Sequence, residues 1–247
     1  MTLALFLGVL IGAILLGLPV AFALLLSSLG LMLHLDTFSV DIMAQSLING
    51  IDSFPLLAIP FFLVAGEVMA VGGLSKRIVR LATSLLGHRK GGLGYVAIFT
   101  SVLLAGLSGS AVADAAALVS ILYPMMKQSG YPEGRSLGLL AAGGIIAPVI
   151  PPSLPLIVLG VAGNISIAKL FIGGIAPGLM MGAALMITWA ITTRNEDLAT
   201  APRANAAERW AALRDGVWAL IMPILIIGGI RSGIVTPTEA AVVAAVY

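Results

Sequence analysis

The sequence has no cysteine in 247 residues, and only 10% of its side chains are charged. The first absence excludes a disulfide framework, a thiolate zinc site and an iron–sulfur cluster. The second excludes a water-facing surface of this size, because a soluble domain carries about 25% charge and roughly 45–50% apolar residues. Here 60% of the residues are hydrophobic, so lipid must be the solvent for much of the chain. A net charge of only +2 leaves no electrostatic footprint for nucleic acid. These shortages exclude a soluble enzyme, a nucleic-acid binder and a secreted disulfide scaffold. What remains is an all-α polytopic membrane protein. Glycine (29) and proline (13) are abundant for one, and suggest helices that pack closely, break and re-enter.

A membrane-crossing helix needs about 20 apolar residues. The first charge-free block runs from Leu3 to Leu33, and is either one tilted helix or two joined at Gly17-Leu18-Pro19. Ala21-Phe22-Ala23 imitates a signal-peptide cleavage site, but Met1-Thr2 carries no Lys or Arg and the apolar run continues past it. Further blocks are Phe54–Val71, Gly91–Leu107, Ala111–Met126, Leu137–Gly160, Leu170–Ile191 and a last one from Val217. The stretch from His34 to Asn49 reads as a loop, as does the region around Lys76–Lys90.

Eleven of the thirteen basic residues fall in three segments: Lys76–Lys90, Lys127–Arg135 and Arg194–Arg214. The excess of Lys and Arg makes these segments cytoplasmic. The His34–Asn49 stretch has no basic residue and contains Asp36 and Asp41, as suits the opposite side. The first two basic segments then share a side, so the blocks between them go in and come back. Two full crossings satisfy that parity. The polar joint Ser108-Gly109-Ser110 suits better the tip of a re-entrant hairpin over residues 91–126, ending inside the membrane.

Residues 137–160 form the second special element. Pro148, Pro151, Pro152 and Pro155 lack N–H groups, so in a helix the carbonyls of Gly144, Ala147, Pro148 and Pro151 lose their partners. Clustered open carbonyls in hydrocarbon suit a desolvated cation, and Na⁺ is the obvious candidate, with the hydroxyls of Ser108, Ser110 and Ser153 completing its shell. The opposing reading is a kinked helix satisfied by its neighbours. The N–H groups at the start of the helix after Ser110 suit a carboxylate. Asp114, one turn further on, is either a functional acid or a neutraliser of that helix end. Glu67 reads as an interfacial acid beside Lys76 and Arg77, and His34 and His88 as solvated loop histidines. Trp210 and Trp218 read as interfacial anchors, and Lys169 as a side chain snorkelling from a helix end. Gly106-Leu107-Ser108-Gly109 matches the G-x-S-G string of rhomboid intramembrane proteases, but that serine needs a histidine base at membrane depth, and neither histidine is placed for it.

Taken in order, Ser53–Phe62, Ala65-Gly66-Glu67, Gly87–Gly92, Ser108–Ala117, Gly130–Gly144, Ala147–Ser153, Leu170–Gly182 and Thr236–Ala241 resemble the large membrane (DctM-type) subunit of tripartite ATP-independent periplasmic (TRAP) transporters. The resemblance covers essentially the whole chain. It implies an elevator fold of the ion-transporter superfamily, built from inverted repeats and driven by a Na⁺ gradient. It implies a small DctQ-type membrane subunit, a periplasmic DctP-type binding protein, and an organic acid such as a dicarboxylate or sialic acid, in a bacterial inner membrane. Residues 1–193 would be the first repeat, with scaffold helices over 3–71, the hairpin 91–126, the broken helix 137–160 and a helix over 170–191. Residues 194–215 would be a cytoplasmic connector, and 216–247 the start of the second repeat. The similarity of Ile11–Ser27 to Gly228–Tyr247 agrees with inverted repeats and would put Met1 on the periplasmic side. Substrate binding is carried over to Ser108, Gly109, Ser110, Asp114, Pro152 and Ser153. The Na⁺ site is carried over to Ser108 with the backbone of Gly144, Ala147, Pro148, Ile150 and Pro151. No other cofactor is implied. Because the sequence stops as the second repeat begins, these 247 residues alone are expected not to catalyse uptake. The competing readings are a stand-alone Na⁺/organic-anion symporter and a non-transporting assembly subunit.

Overall fold

The computed structural model describes residues 2–196, 198, 200 and 202–247. The expected side of Met1, and the parts of the connector at Asp197, Ala199 and Ala201, lie outside the described residues. The described residues are helical, with no strand among them. They form two compact units, residues 1–53 and 54–247.

The first unit holds α1 (Thr2–Leu15), α2 (Val20–His34) and α3 (Val40–Ile51). The long apolar block is therefore two helices. Gly17 takes a left-handed φ of +82°, and Pro19 caps α2, so the chain reverses between them. α1 and α2 pack through small residues, with Ala13, Ala23 and Ser27 buried and the Ser27 hydroxyl donating to the Ala23 carbonyl (2.7 Å). α3 corrects the expectation of a loop over 34–49. Val40, Met43, Leu47 and Ile51 share one face and Asp41, Gln45 and Asn49 the other. The Ser39 hydroxyl accepts the Ile42 N–H (3.4 Å) as its cap.

The second unit begins with a single 3-10 turn, Phe54–Leu57, leading into α4 (Ala58–Val71). α5 (Leu74–Leu86) is a second correction, because the basic segment is mostly helix. Ile78, Val79, Leu81 and Ala82 are buried on one face, while Lys76, Arg77 and Arg80 stand exposed on the other. α6 (Gly92–Ser108) and α7 (Ala111–Gln128) are two helices in contact over the segment expected as the hairpin, and are called the hairpin below. α8 (Glu133–Gly144) and α9 (Leu154–Ala162) are the two halves of the broken helix, followed by α10 (Ile167–Thr192), α11 (Ala206–Arg231) and α12 (Pro237–Val246). α11 begins inside the connecting segment 194–215, at a capping box in which Asn205 accepts the Glu208 N–H and Glu208 accepts the Asn205 N–H. Three apolar stretches are long enough to cross a membrane among the described residues: Phe54–Val71, Ile167–Thr192 and Ala206–Arg231.

α6 is the hub, in contact with α4, α5, α7, α8, α10 and α11. α7 turns a stripe of every fourth residue inward, so Asp114, Leu118, Leu122 and Met126 are all buried. α10 answers the broken helix with small residues at the same spacing. A Cβ at Gly174 would lie 2.3 Å from the Val149 carbonyl oxygen, and one at Gly178 2.2 Å from the Ile150 side chain. Lipid gives helices no hydrophobic push toward each other, so such close backbone approach is what holds them together. At the wide end of the hairpin, Trp189 of α10 donates to the Gly91 carbonyl (2.9 Å) and stacks on Tyr131, whose hydroxyl accepts the Leu93 N–H (3.4 Å). Arg135 pairs with Glu196, and the Lys90 ammonium donates to the Arg194 carbonyl (3.1 Å).

Candidate ion and substrate site

The narrow end of the hairpin meets the break between α8 and α9. α6 ends at Ser108, and Gly109 stops it in the left-handed region at φ +61°. Ser110 is extended and caps α7, its hydroxyl accepting the Ala113 N–H (3.4 Å). Across from it the chain turns irregularly from Ile145, then extends into Ser153, which caps α9 by accepting the Leu156 N–H (3.3 Å). The Pro151–Pro152 peptide is cis. The two backbones touch: a Cβ at Gly109 would lie 2.5 Å from the Pro152 carbonyl oxygen and 3.1 Å from the Ser153 Cα. On the flank, Gly144 packs on Ala111 and Ala115 of α7. The residues assigned from sequence to substrate and to Na⁺ are therefore gathered in one place, from four helix ends.

The carbonyls are less free than proline counting suggests. The Gly144 carbonyl accepts the Ala147 N–H (3.2 Å) in a turn, and the Pro148 carbonyl accepts the Ser153 hydroxyl (2.5 Å). Those two, with the Ser153 hydroxyl, are already engaged. The carbonyls of Ala147, Ile150 and Pro151 have no hydrogen-bond donor among the described residues. Such oxygens are hard ligands of the kind an alkali cation takes, and unsolvated carbonyls inside a membrane are costly when nothing meets them. No group of three His, Cys, Asp or Glu side chains that could hold a metal ion occurs among the described residues.

On the hairpin, the Ser108 hydroxyl donates to the Asp114 carboxylate (2.5 Å) and accepts the Ser110 N–H (3.1 Å). Asp114 is 4% exposed, and its Oδ2 is buried with no partner. A carboxylate in the first turn of α7 complements the helix dipole. The chain's own acid thus occupies the polarity that the sequence offers to a foreign carboxylate. Its partner is Ser108, on the hairpin, rather than a group of the broken helix. Ser108 and Asp114 border a cavity of about 140 Å³, room for several waters. Glu67 and Ser75 line the same cavity. Glu67 is exposed on α4 and forms no ion pair with Lys76 or Arg77 among the described residues. Its sequence signal was an acid late in an apolar block; Ser75 gave none.

Within the second unit, no histidine stands near Ser108 as a base. Ser108 closes α6, whereas His88 precedes the other end of that 17-residue helix, about 25 Å away at 1.5 Å per residue.

Residues 7–247 match the family described as the DctM component of tripartite ATP-independent periplasmic transporters. The 2,3-diketo-L-gulonate TRAP transporter large permease protein YiaN of Escherichia coli (strain K12) is 56% identical over 100% of this chain and 58% of its own length. The sialic acid TRAP transporter large permease protein SiaM of Vibrio cholerae is 40% identical over 96% of the chain and 56% of its own. The C4-dicarboxylate TRAP transporter large permease protein DctM of the same organism is 38% identical over 100% of the chain and 55% of its own. The chain spans a little over half the length of these relatives, which are transporter permeases and not enzymes. A match over almost every residue, on a helical chain with lipid-compatible spans, means that this chain belongs to the DctM family of TRAP transporter large permease subunits.

Proposed function

We propose that the chain is the N-terminal portion of a permease that imports an organic acid with Na⁺, working with a small membrane subunit and a periplasmic binding protein in a bacterial inner membrane. The observation that carries this reading is the contact of the hairpin tip at Gly109 with the break at Pro152–Ser153, beside the donor-free carbonyls of Ala147, Ile150 and Pro151. Opposed helix ends at a break are a recurring device for holding an ion and an anion inside a membrane. α8 is 12 residues long, about 18 Å, so the break lies partway along the path from the cytoplasmic end. That depth supports a re-entrant hairpin over two full crossings. In this reading Na⁺ takes the open carbonyls with Ser108, and the substrate lies alongside, reached by Gly109, Ser110, Pro152 and Ser153. Asp114 holds Ser108 in place. The relatives' named substrates are all organic acids, which supports that class without choosing among its members.

The hairpin and broken helix form the mobile part of an elevator, residues 1–193 the first of two inverted repeats, and 216–247 the beginning of the second. Ion and substrate must both favour the loaded, movable state for coupling to work.

The test reconstitutes the full-length permease with its two partner proteins in proteoliposomes and follows uptake of labelled organic acids. Uptake should require an inward Na⁺ gradient and the binding protein, and Ser108→Ala should reduce it at least tenfold. Uptake that ignores the Na⁺ gradient overturns ion coupling. Uptake that needs no binding protein identifies a stand-alone symporter. A reconstituted complex with no uptake under any gradient leaves the assembly-subunit reading.

A further inference from the structure

Two adjoining cavities lie at the basic end of the second unit, away from the hairpin tip. One, of about 740 Å³, is lined by Lys76 and Arg80 of α5, by Arg203, and by Ile121 and Met125 of α7. The other, of about 700 Å³, is lined by Leu85 of α5, Phe99 and Leu103 of α6, and Leu213, Leu220 and Trp210 of α11. Arg203 and Ala204 border both, so the cationic cavity and the apolar one adjoin at that segment. Arg209, on the apolar side of that border, has a buried Nε with no hydrogen-bond partner among the described residues. One acid, Glu208, also lines the cationic cavity and turns its carboxylate to the Asn205 N–H (2.8 Å), while Asp215 pairs with Arg80 at 3.0 Å, which leaves Lys76 and Arg203 as cations in excess there. Neither Lys76, Arg203 nor Arg209 has an ion pair among the described residues.

We infer that this double cavity is a binding site for one anionic phospholipid of the cytoplasmic leaflet, its phosphate held by Lys76, Arg203 and Arg209 and an acyl chain lying along Phe99, Leu103 and Leu213. The occupant follows from charge and shape together. A cationic cup beside an apolar slot of similar volume matches a phosphate joined to an acyl chain. The basic segments mark the leaflet where anionic lipids concentrate, and basic pockets between helices on that side take such headgroups. Trp210, 69% exposed, sits at the rim as an interfacial anchor. The site rests on the cytoplasmic placement of these segments and not on the transport mechanism, so it stands or falls separately from uptake.

Native mass spectrometry of the delipidated full-length permease, titrated with dioleoylphosphatidylglycerol or dioleoylphosphatidylcholine, tests it. The wild type should retain the first phosphatidylglycerol at least tenfold more tightly than phosphatidylcholine, a comparison that needs no variant. Each cation removed should weaken retention about fivefold, so Arg203→Gln with Arg209→Gln should lose about 25-fold. Leu103→Trp, which fills the slot without touching charge, should also weaken it. Glycerol 3-phosphate should compete poorly; equal competition by this headgroup alone overturns the lipid in favour of a soluble phosphate. Equal retention of both lipids by the wild type, or wild-type retention by a double variant that folds normally, overturns the site.

Discussion

Gly109 shows how a single residue sets the geometry of the site. It meets two demands at once: a left-handed backbone at φ +61°, and space for the Pro152 carbonyl where a Cβ would be. Gly130 provides a control, with φ +76° but nothing within 4 Å of a built Cβ. Gly130→Ala should cost only the left-handed penalty, roughly 1–2 kcal/mol. Gly109→Ala carries the same penalty and also pushes the hairpin off the break, opening the contact that gathers Ser108 and Ser153. The unfolding temperature of the full-length permease should therefore fall further for Gly109→Ala than for Gly130→Ala, and Na⁺-dependent uptake should collapse only for Gly109→Ala. Equal uptake in the two variants would mean that the tip need not touch the break. Ser108→Ala acts differently: it removes the donor to Asp114 and leaves both carboxylate oxygens unpaired in a buried place, costing about 1–3 kcal/mol.

Among the elements, those with a strong local signal were legible and those defined by partners were not. The two helices α6 and α7 fall within two residues of the bounds 91–126 that the sequence offers, because a Ser-Gly-Ser joint and a helix cap announce themselves in sequence. The break was legible from four prolines, but the fate of its carbonyls was not. Whether Pro148 keeps a free oxygen depends on where the Ser153 hydroxyl points, which no spacing rule decides. α3 and α5 look like loops in the sequence because they are short and polar on one face, and amphipathic helices contain no long apolar run. Trp189 gave no signal, yet it binds the wide end of the hairpin to α10 through the Gly91 carbonyl. Trp189→Phe keeps the ring against Tyr131 and loses the N–H donor, so it should destabilise the permease by about 1–3 kcal/mol. Trp210→Phe, at an exposed site, should leave the unfolding temperature unchanged. Equal effects of the two would deny the clasp.

At the scale of the whole chain, orientation follows from charge and helix order together. Eleven of the thirteen basic residues lie in α5 and the turn after it, at the end of α7 and start of α8, and in the α10–α11 connection with the start of α11; beside the α9–α10 connection around Asn164 there is only Lys169, in the first turn of α10. If the basic side is cytoplasmic, α8 and α9 lead outward and α10 leads back. The hairpin must then start and finish inside the cell, whatever depth its tip reaches. The absence of native cysteine in these 247 residues makes a direct test clean. Single cysteines at Ser84, Ser129 and Asn164 would be placed in the full-length permease, with any cysteine beyond Tyr247 replaced, and treated in intact spheroplasts with a membrane-impermeant maleimide. Asn164→Cys should label from outside, while Ser84→Cys and Ser129→Cys should label only after lysis. The Ser110→Cys tip discriminates the two hairpin readings. A re-entrant tip buried against Pro152 should resist reagent from outside in the absence of Na⁺ and substrate or react slowly, whereas the outer turn of two full crossings should react as fast as Asn164→Cys. Fast labelling at Ser110 together with unimpaired uptake would replace the hairpin by two ordinary spans, and with it the argument that its tip meets the broken helix inside the membrane.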